Sequence, residues 1–364
     1  MENIDTFVNQ QIERTKQALS KTLIEIKNDS NYKHIISPFI APALEIINSG
    51  KFIRSKICII GALYSDTQNI NQETLTNNIT FMTTAIELYH LSALIHDDII
   101  DNSNIRRSKP TAHVQYSKVH KDKKYYGSPE NYGKNAAILL GDLLFSKAIY
   151  QCQKITLNIA KYKKIIQYFT SLTAEVAIGQ YYDLYASHQQ ITNQIEINKE
   201  LTREIIITKS AHYSILKPFI LGTMLSSENI DLTDISKALK SWGIAFQMKD
   251  DEISMFSNVK QSGKNNESDL IDKKKTLLLA YTIDMLDNNL KEKMLEILQN
   301  LKDENTQKEE IEYIKKLIVK SGAYAKHHNE IQEYYIHGKE IINQLPISNE
   351  VKKYILSLGK TILK

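Results

Sequence analysis

The sequence predicts an all-α protein, and three observations lead to that prediction. Only 6 prolines and 12 glycines interrupt the 364 residues. Short alternating runs of β-branched residues closed by Asn-Gly or Asp-Gly turns are nearly absent. Leu, Ile, Lys and Glu recur instead at the spacing of helices that bury one face. Because no linker rich in Pro, Gly or Ser marks a boundary, residues 1–364 are expected to form a single large helical domain.

Segments rich in polar and turn-forming residues predict the main breaks between helices. They cover residues 28–38, 101–113, 121–133, 187–198 and 257–275. Between the first two breaks, the pattern predicts a long helix from about Asn78 to Asp101. Two of the breaks follow closely on clusters of acidic residues, which makes those clusters candidates for function.

Composition narrows the functional classes. The net charge of +4 is too small for a protein dedicated to nucleic acid, so a basic site must be local. No run of eighteen apolar residues occurs and the first residues are polar, so we expect a soluble, cytoplasmic protein without stable membrane insertion. Cys58 and Cys152 cannot form a disulfide framework and lack zinc-ligand spacing, which predicts two small buried thiols.

The stretch LIHDDIID, residues 94–101, places three aspartates in an otherwise apolar, helical run. Asp97 and Asp101 are four residues apart, so they project from the same helix face and could hold one cation together. Carboxylates at the carboxyl end of a helix also oppose its dipole. The position therefore predicts a bound cation or a basic partner.

A second acidic cluster, Asp250 and Asp251, interrupts the apolar run FQMKDDEISMF. Two carboxylate sets facing one another would form an oxygen-rich site of the kind that Mg²⁺ uses to bridge protein and substrate phosphates. The sequence has no Walker loop, no GxGxxG turn and no zinc-ligand spacing at either cluster. Magnesium is therefore the expected ion.

Basic residues near these clusters complete a candidate receptor for diphosphate groups, because Arg pairs with phosphate oxygens bidentately and Lys adds mobile charge. They are Lys51, Arg54, Arg106, Arg107, Lys209, Lys264 and Lys274. Each feature alone has an ordinary structural explanation. Lone basic residues are usually on the surface, and His90 and His96 on an apolar helix are usually core histidines.

Taken in order, these segments resemble the polyprenyl synthetase family, the trans-isoprenyl diphosphate synthases, and especially bacterial geranylgeranyl and farnesyl diphosphate synthases. The resemblance extends from about Ser49 to Leu279. It is carried by GKFIR, ELYHLSALIHDDIIDNSNIRRSKPTAH, AILLGDLLFSKA, EVAIGQYYDL, KSAHYSILKP, FQMKDD and GKNNESDLIDKKKTL. It implies a helical bundle of isoprenoid synthase type around a deep central cavity, usually as a homodimer.

The resemblance implies that Asp97 and Asp101, with Asp98 beside them, hold two Mg²⁺ ions on an allylic diphosphate, and that Asp250 holds a third. These aspartates and Lys209 form the implied catalytic set. The residues implied to bind the diphosphate of isopentenyl diphosphate are Lys51, Arg54, His90 and Arg107. Those implied to surround the allylic diphosphate are Arg106, Lys209, Ser210, Gln247, Lys264 and Lys274.

Two positions depart from the family pattern. Ser254 stands where the second acidic block often has its last Asp, so metal binding there depends on Asp250 and Asp251, with the orientation of Glu252 undetermined. Lys273 stands where the closing loop usually has Gly, which could alter the flexibility of that loop. No general base is nominated, since the released diphosphate is thought to take the proton in the family.

Product length depends on what blocks the growing chain along the first aspartate-rich helix. Short-product relatives have an aromatic floor five residues before the first Asp, where this chain has Ser92, followed by Ala93. Tyr89 lies eight residues before Asp97, about 12 Å along the helix axis. We therefore expect Tyr89 to limit growth and the product to have twenty carbons or somewhat more.

The predicted function is Mg²⁺-dependent condensation of isopentenyl diphosphate with an allylic diphosphate. Breaking the allylic carbon–oxygen bond leaves a carbocation and an anion, so neutralising the leaving group lowers the barrier. A terpene cyclase could use Asp250, Ser254 and Asn258, but it has no need of an isopentenyl diphosphate pocket. A noncatalytic partner subunit or a purely structural helical scaffold would not require the aspartates that this chain retains.

Overall fold

The computed structural model describes residues 4–47, 50–65, 71–190, 197–227, 230–256, 268–301 and 307–362. Within them the regular secondary structure is helical apart from one pair of two-residue strands, so the all-α prediction is confirmed. The chain divides into two compact units, each with its own set of packed helices. A single domain over residues 1–364 remains a prediction.

The helices and strands of the described residues have the following bounds. They are α1 (Ile4–Asn28), α2 (Lys33–Ile47), α3 (Ile53–Ala62), α4 (Gln72–Ile100), β1 (Ile105–Arg106), β2 (Lys109–Pro110), α5 (Ala112–Asp122), α6 (Pro129–Gln153), α7 (Ile159–His188), α8 (Lys199–Ile205), a π-helical segment (Ile206–Leu216), α9 (Lys217–Ser226), α10 (Thr233–Phe256), α11 (Ser268–Ile271), α12 (Leu277–Met285), α13 (Asn288–Asn300), α14 (Lys308–Lys320), α15 (Ala323–Gln344) and α16 (Asn349–Ile362).

Unit 1 comprises residues 1–171, 217–231 and 347–355. Its central helix, α4, packs against α1, α3 and α6 and is buried around most of its circumference, as expected for a helix apolar on all sides. It begins six residues before the predicted Asn78, because the Asn71 side chain caps it by accepting a hydrogen bond from the Thr74 amide at 2.9 Å.

Close packing between α3 and α9 fixes the helix that carries Arg54 in unit 1. A Cβ atom on Gly61 would collide with the Phe219 backbone, and one on Gly222 with the Cys58 backbone. Glycine is therefore needed on both helices. Cys58 and Cys152 are fully buried free thiols, as predicted, and burial raises the pKa of both.

Unit 2 comprises residues 172–216, 232–346 and 356–364. Its helix α10 packs against α15 and the π-helical segment. The buried Trp242 on α10 donates a hydrogen bond from Nε1 to the Tyr335 carbonyl of α15 at 3.1 Å. A separate apolar core joins α12, α13 and α14. The packing on α15 fixes α10, which carries the second acidic cluster.

Candidate active site

The three aspartates of LIHDDIID lie at the carboxyl end of α4, and Arg106 compensates two of them. Arg106 donates a hydrogen bond from Nε to Asp98 Oδ1 at 2.6 Å and from Nη2 to Asp97 Oδ2 at 3.2 Å. Burial alone would lower the pKa of Arg106, but the carboxylates of Asp98, Asp97 and Asp101 outweigh it and raise the pKa. The basic partner expected at this helix end is therefore present.

A tight hairpin between the two short strands presents Arg106 to the aspartates. Arg107 and Ser108 occupy its turn with φ values of 53° and 62°, in the left-handed region. Thr111 anchors the hairpin by donating from Oγ1 to the Ser103 carbonyl at 2.8 Å. This hairpin lies within the break predicted at 101–113, and it sends two consecutive arginines to different partners.

Arg54, His90 and Arg107, predicted to bind the second diphosphate, influence one another in unit 1. Arg54 Nη1 lies 3.3 Å from His90 Nε2, and Arg107 Nη1 donates to the Ile46 carbonyl at 3.3 Å. Burial, followed by the charges of Arg54 and Arg107, holds the pKa of His90 well below its ordinary value. His90 is therefore neutral at pH 7 and can accept a hydrogen bond from Arg54. Lys51 is exposed.

Glu87 is a buried carboxylate near Arg54 and Arg107 that was not predicted from the sequence. Ser55 donates a hydrogen bond from Oγ to Glu87 Oε1 at 2.7 Å. Burial raises the pKa of Glu87, while Ser55, Arg54 and Arg107 act to lower it. Glu87 could have been predicted from its place three residues before His90, because the two side chains then share one face of α4.

Tyr89, the predicted limit to product growth, packs against two other aromatic rings in unit 1. Its ring centroid lies 5.7 Å from that of Phe145 and 6.2 Å from that of Phe169. Ser92 is buried and Ala93 is half-buried, so small side chains occupy the two positions nearer Asp97. Phe145 and Phe169 were not predicted, since they lie on α6 and α7.

In unit 2, Lys209 and Lys274 converge on one carboxylate. Lys209 Nζ lies 2.5 Å and Lys274 Nζ 2.8 Å from Asp183 Oδ2. Burial alone would raise the pKa of Asp183, but the two lysines outweigh it and lower the pKa. Nε2 of Gln180, one turn before Asp183, is shielded from solvent without a hydrogen-bond partner among the described residues. Neither Asp183 nor Gln180 was predicted.

Lys209 and Ser210 lie in the π-helical segment, a widened helical turn of a kind often found at functional sites. Ser210 is buried. On α10, Gln247 donates a hydrogen bond from Nε2 to Asp251 Oδ1 at 2.9 Å, whereas Asp250 and Ser254 are half-buried. Unit 2 thus brings together Lys209 and Lys274, and separately Gln247 and Asp251.

Glu252, whose orientation the sequence left open, turns toward α15. Its carboxylate accepts hydrogen bonds from Lys249 at 3.0 Å and from His327 and His328 at 3.3 Å each. Burial alone would raise the pKa of Glu252, but these hydrogen bonds lower it. The Glu252 carboxylate is therefore hydrogen-bonded within the protein.

Part of the predicted closing loop falls outside the described residues, including Lys264 and also Asn258 of the cyclase alternative. Lys273, which stands where relatives have Gly, takes a left-handed conformation with φ of 57°. Its Nζ donates to the Gln299 carbonyl at 3.2 Å. The departure from Gly therefore keeps the backbone conformation that glycine favours.

Among the described residues, no group of three or more His, Cys, Asp or Glu side chains is arranged to hold a metal ion. The donor chemistry nevertheless fits a hard divalent cation, because both acidic clusters offer carboxylate oxygens and Asp97 and Asp101 share one face of α4. None of the described helices is both long enough and apolar enough to span a bilayer.

Comparison with known proteins places the chain in a family. A short chain isoprenyl diphosphate synthase of Methanocaldococcus jannaschii is 32% identical over 234 residues, 64% of this chain and 64% of that protein, which is less than two thirds of its length. A geranylgeranyl diphosphate synthase of Sulfolobus acidocaldarius is 30% identical over 271 residues, 73% of this chain and 74% of that protein.

A solved structure supports the fold. The geranylgeranyl pyrophosphate synthase from Corynebacterium glutamicum, complexed with isoprenyl diphosphate and magnesium, superposes with a TM-score of 0.87 at 24% identity, covering 100% of this chain and 99% of that one. Residues 38–318 match the family model described as polyprenyl synthetase, well over half of the chain. The chain therefore belongs to the polyprenyl synthetase family.

Proposed function

We propose that the chain is a trans-prenyltransferase that condenses isopentenyl diphosphate with an allylic diphosphate. The observation that carries this proposal is the pair of arginines, Arg54 and Arg107, grouped with neutral His90 on the unit that also bears the first aspartate cluster. A second diphosphate substrate needs such a basic group. A terpene cyclase, which ionises one diphosphate, does not.

The proposed cofactor is Mg²⁺, three ions per site, with Asp97 and Asp101 as ligands of two and Asp250 as ligand of the third. When bound, the ions would neutralise the diphosphate that leaves as the allylic carbon–oxygen bond breaks. Asp98 keeps Arg106 in place beside these ligands. Neutralisation of the diphosphate charge by these ions and Arg106 is the main catalytic contribution that we assign to the protein.

The remaining basic residues position the substrates. Asp183 holds Lys209 and Lys274 together, so that both ammonium groups can donate to the allylic diphosphate. Arg54 and Arg107 would bind isopentenyl diphosphate bidentately, joined by Lys51. Neutral His90 orients Arg54 without adding a further positive charge.

The proposed product is geranylgeranyl diphosphate or somewhat longer, with the Tyr89 ring as the floor. Phe145 and Phe169 support that ring, which keeps it from rotating aside. We expect Tyr89→Ala to lengthen the product by at least one isoprene unit, measured by chromatography of labelled products. Tyr64→Ala is a matched control, since Tyr64 is a buried tyrosine that packs on Phe219. Identical product lengths in both variants and wild type would show that Tyr89 does not limit product length.

A cytoplasmic homodimer without a nucleic-acid partner is also part of the proposal. On α7, the large side chains of Ile178, Tyr181 and Tyr185 are at least half exposed and recur on one helix face. On α6, Ile138 and Leu139 are exposed as well. Apolar faces of this kind favour association. Sedimentation of the purified protein measures the assembly state.

The activity is tested with purified protein, Mg²⁺, labelled isopentenyl diphosphate and each allylic starter in turn. We expect elongated diphosphates. Hydrocarbons or alcohols formed without isopentenyl incorporation would indicate a cyclase instead. No product from any starter would indicate a noncatalytic partner subunit.

A further inference from the structure

Four side chains form a polar cluster between α10 and α15, two of them next in sequence to Asp250 and Asp251. Lys249 and Glu252 belong to α10, and His327 and His328 belong to α15. Glu252 accepts a hydrogen bond from each of the other three. Its side chain is 3% exposed and that of His327 is 0% exposed. We call these residues the Glu252 cluster.

The Glu252 cluster fixes the rotation of the end of α10. Two residues along an α-helix correspond to a turn of about 200°, so Glu252 and Asp250 point to nearly opposite sides. Aromatic packing reinforces the anchor, because the Phe256 ring lies 5.1 Å from Tyr324, which stacks on His328 at 5.9 Å. The side of α10 opposite Asp250 is therefore held on α15 by both polar and aromatic contacts.

Electrostatics also favour this arrangement. Asp250, Asp251 and Glu252 are consecutive carboxylates near the carboxyl end of α10, where they repel one another and oppose the helix dipole. Lys249 compensates the charge of Glu252, and His327 and His328 donate hydrogen bonds to its carboxylate. Gln247 donates to Asp251. Helix α10 can thus hold its acidic end in a fixed orientation before any cation arrives.

We propose that the Glu252 cluster positions Asp250 and Asp251 for metal binding. This inference deepens the proposed function and rests on it. Glu252, His327 and His328 are positioning residues that contact neither metal nor substrate. Holding ligand side chains in advance increases metal affinity, because the protein then loses less conformational entropy on binding.

The test measures binding of Mn²⁺ in the presence of inorganic diphosphate, by electron paramagnetic resonance of the unbound ion. Removal of groups that orient metal ligands typically weakens affinity about 10- to 100-fold, and we expect Glu252→Gln to fall near the lower end of that range. His328→Phe should act in the same direction, since it removes a donor while an aromatic ring remains against Tyr324. The kcat at saturating Mg²⁺ should change much less than the metal affinity.

Glu330→Gln is the matched control on the same helix. Glu330 accepts a hydrogen bond from the Tyr281 hydroxyl at 2.5 Å and pairs with Arg203, so these partners lie on α12 and α8 rather than on α10. We expect the variant to leave Mn²⁺ binding unchanged even where it lowers thermal stability.

Two results would overturn the inference. One is unchanged Mn²⁺ binding in a folded Glu252→Gln variant. If that variant fails to fold, unchanged binding in His328→Phe overturns it as well. Failure of the proposed function is distinguishable, because it would appear as wild-type protein that binds Mn²⁺ with diphosphate yet incorporates no isopentenyl diphosphate.

Discussion

The two acidic clusters are similar in sequence, but the protein holds their carboxylates in different ways. In the first cluster, Arg106 follows Asp98 by only eight residues and reaches it through a tight hairpin. Glu252 adjoins the second cluster, and His327, 75 residues beyond Glu252, reaches it because α10 packs on α15. The first cluster is therefore held by a local contact, whereas Glu252, beside the second, is held by a local lysine and also by tertiary packing.

The two units also differ in how stability and function are divided among their carboxylates. In the first, the Asp98 side chain is 2% exposed and holds Arg106, whereas that of Asp97 is 25% exposed. In unit 2, by contrast, Asp183 holds two of the proposed substrate-binding lysines at once. We therefore expect mutations to separate stability from activity in the first region and to affect both together at Asp183.

The largest expected effect is that of Asp97→Asn on activity. Loss of a proposed metal ligand should lower kcat/KM by about 10³-fold, equivalent to about 4 kcal/mol of transition-state stabilisation. Steady-state kinetics with labelled isopentenyl diphosphate measures the change. Thermal stability should be nearly unchanged, because Asp98 still compensates Arg106.

Asp98→Asn should lower stability more than Asp97→Asn does. Removing the buried carboxylate leaves Arg106 poorly compensated, which typically costs about 3–5 kcal/mol in the free energy of unfolding. Urea unfolding measures this quantity. If Asp97→Asn were the more destabilising of the two, the division of roles within the first cluster would be wrong.

A smaller loss of activity, accompanied by a loss of stability, is expected for Asp183→Asn. We expect kcat/KM to fall about 10²-fold because Lys209 and Lys274 lose their shared partner. The free energy of unfolding should fall by about 3 kcal/mol, since a buried ion pair is broken from one side. Kinetics and urea unfolding of the same preparation measure both quantities. A change in only kcat/KM or only the free energy of unfolding would show that Asp183 does not serve both activity and stability.

The smallest effect concerns pH and Lys275, the neighbour of Lys274. Burial, with a contribution from Lys273, lowers the pKa of Lys275 from its ordinary 10.5 to about 8. The unfolded chain therefore keeps a proton that the folded chain has released, and the contribution of Lys275 to the free energy of unfolding rises between about pH 8 and about pH 10.5.

Lys275→Met should remove that rise, so its stability relative to wild type should be greatest below about pH 8 and should decline above it. Urea unfolding of both proteins across this range gives the difference. A constant difference at all pH values would show that Lys275 titrates normally in the folded chain.

Features that depend on local patterns could be predicted from the sequence. Helical spacing predicted the all-α fold and the position of α4, and motif spacing singled out Arg106 and the aspartates that it contacts. The predicted break at 28–38 was too long, because α2 begins at Lys33 and includes Pro38 and Pro42. The π-helical segment was not predicted, since its residues carry no distinct periodic signal.

The residues that the sequence did not predict near the candidate site have partners that are distant in sequence. Glu87 pairs with Ser55, 32 residues earlier, and Asp183 pairs with Lys274, 91 residues later. Helical periodicity states which face a residue occupies but not which helix packs against that face. Predicting such pairs therefore requires knowledge of the tertiary structure.

The most direct test of the account is a crystal structure with Mn²⁺ and a nonreactive thio-analogue of an allylic diphosphate. Anomalous scattering locates the ions independently of the protein atoms. We expect manganese beside Asp97 and Asp101 and a further ion beside Asp250, all in contact with the diphosphate. A bound analogue with no manganese at either cluster, at saturating metal, would contradict the proposed metal sites.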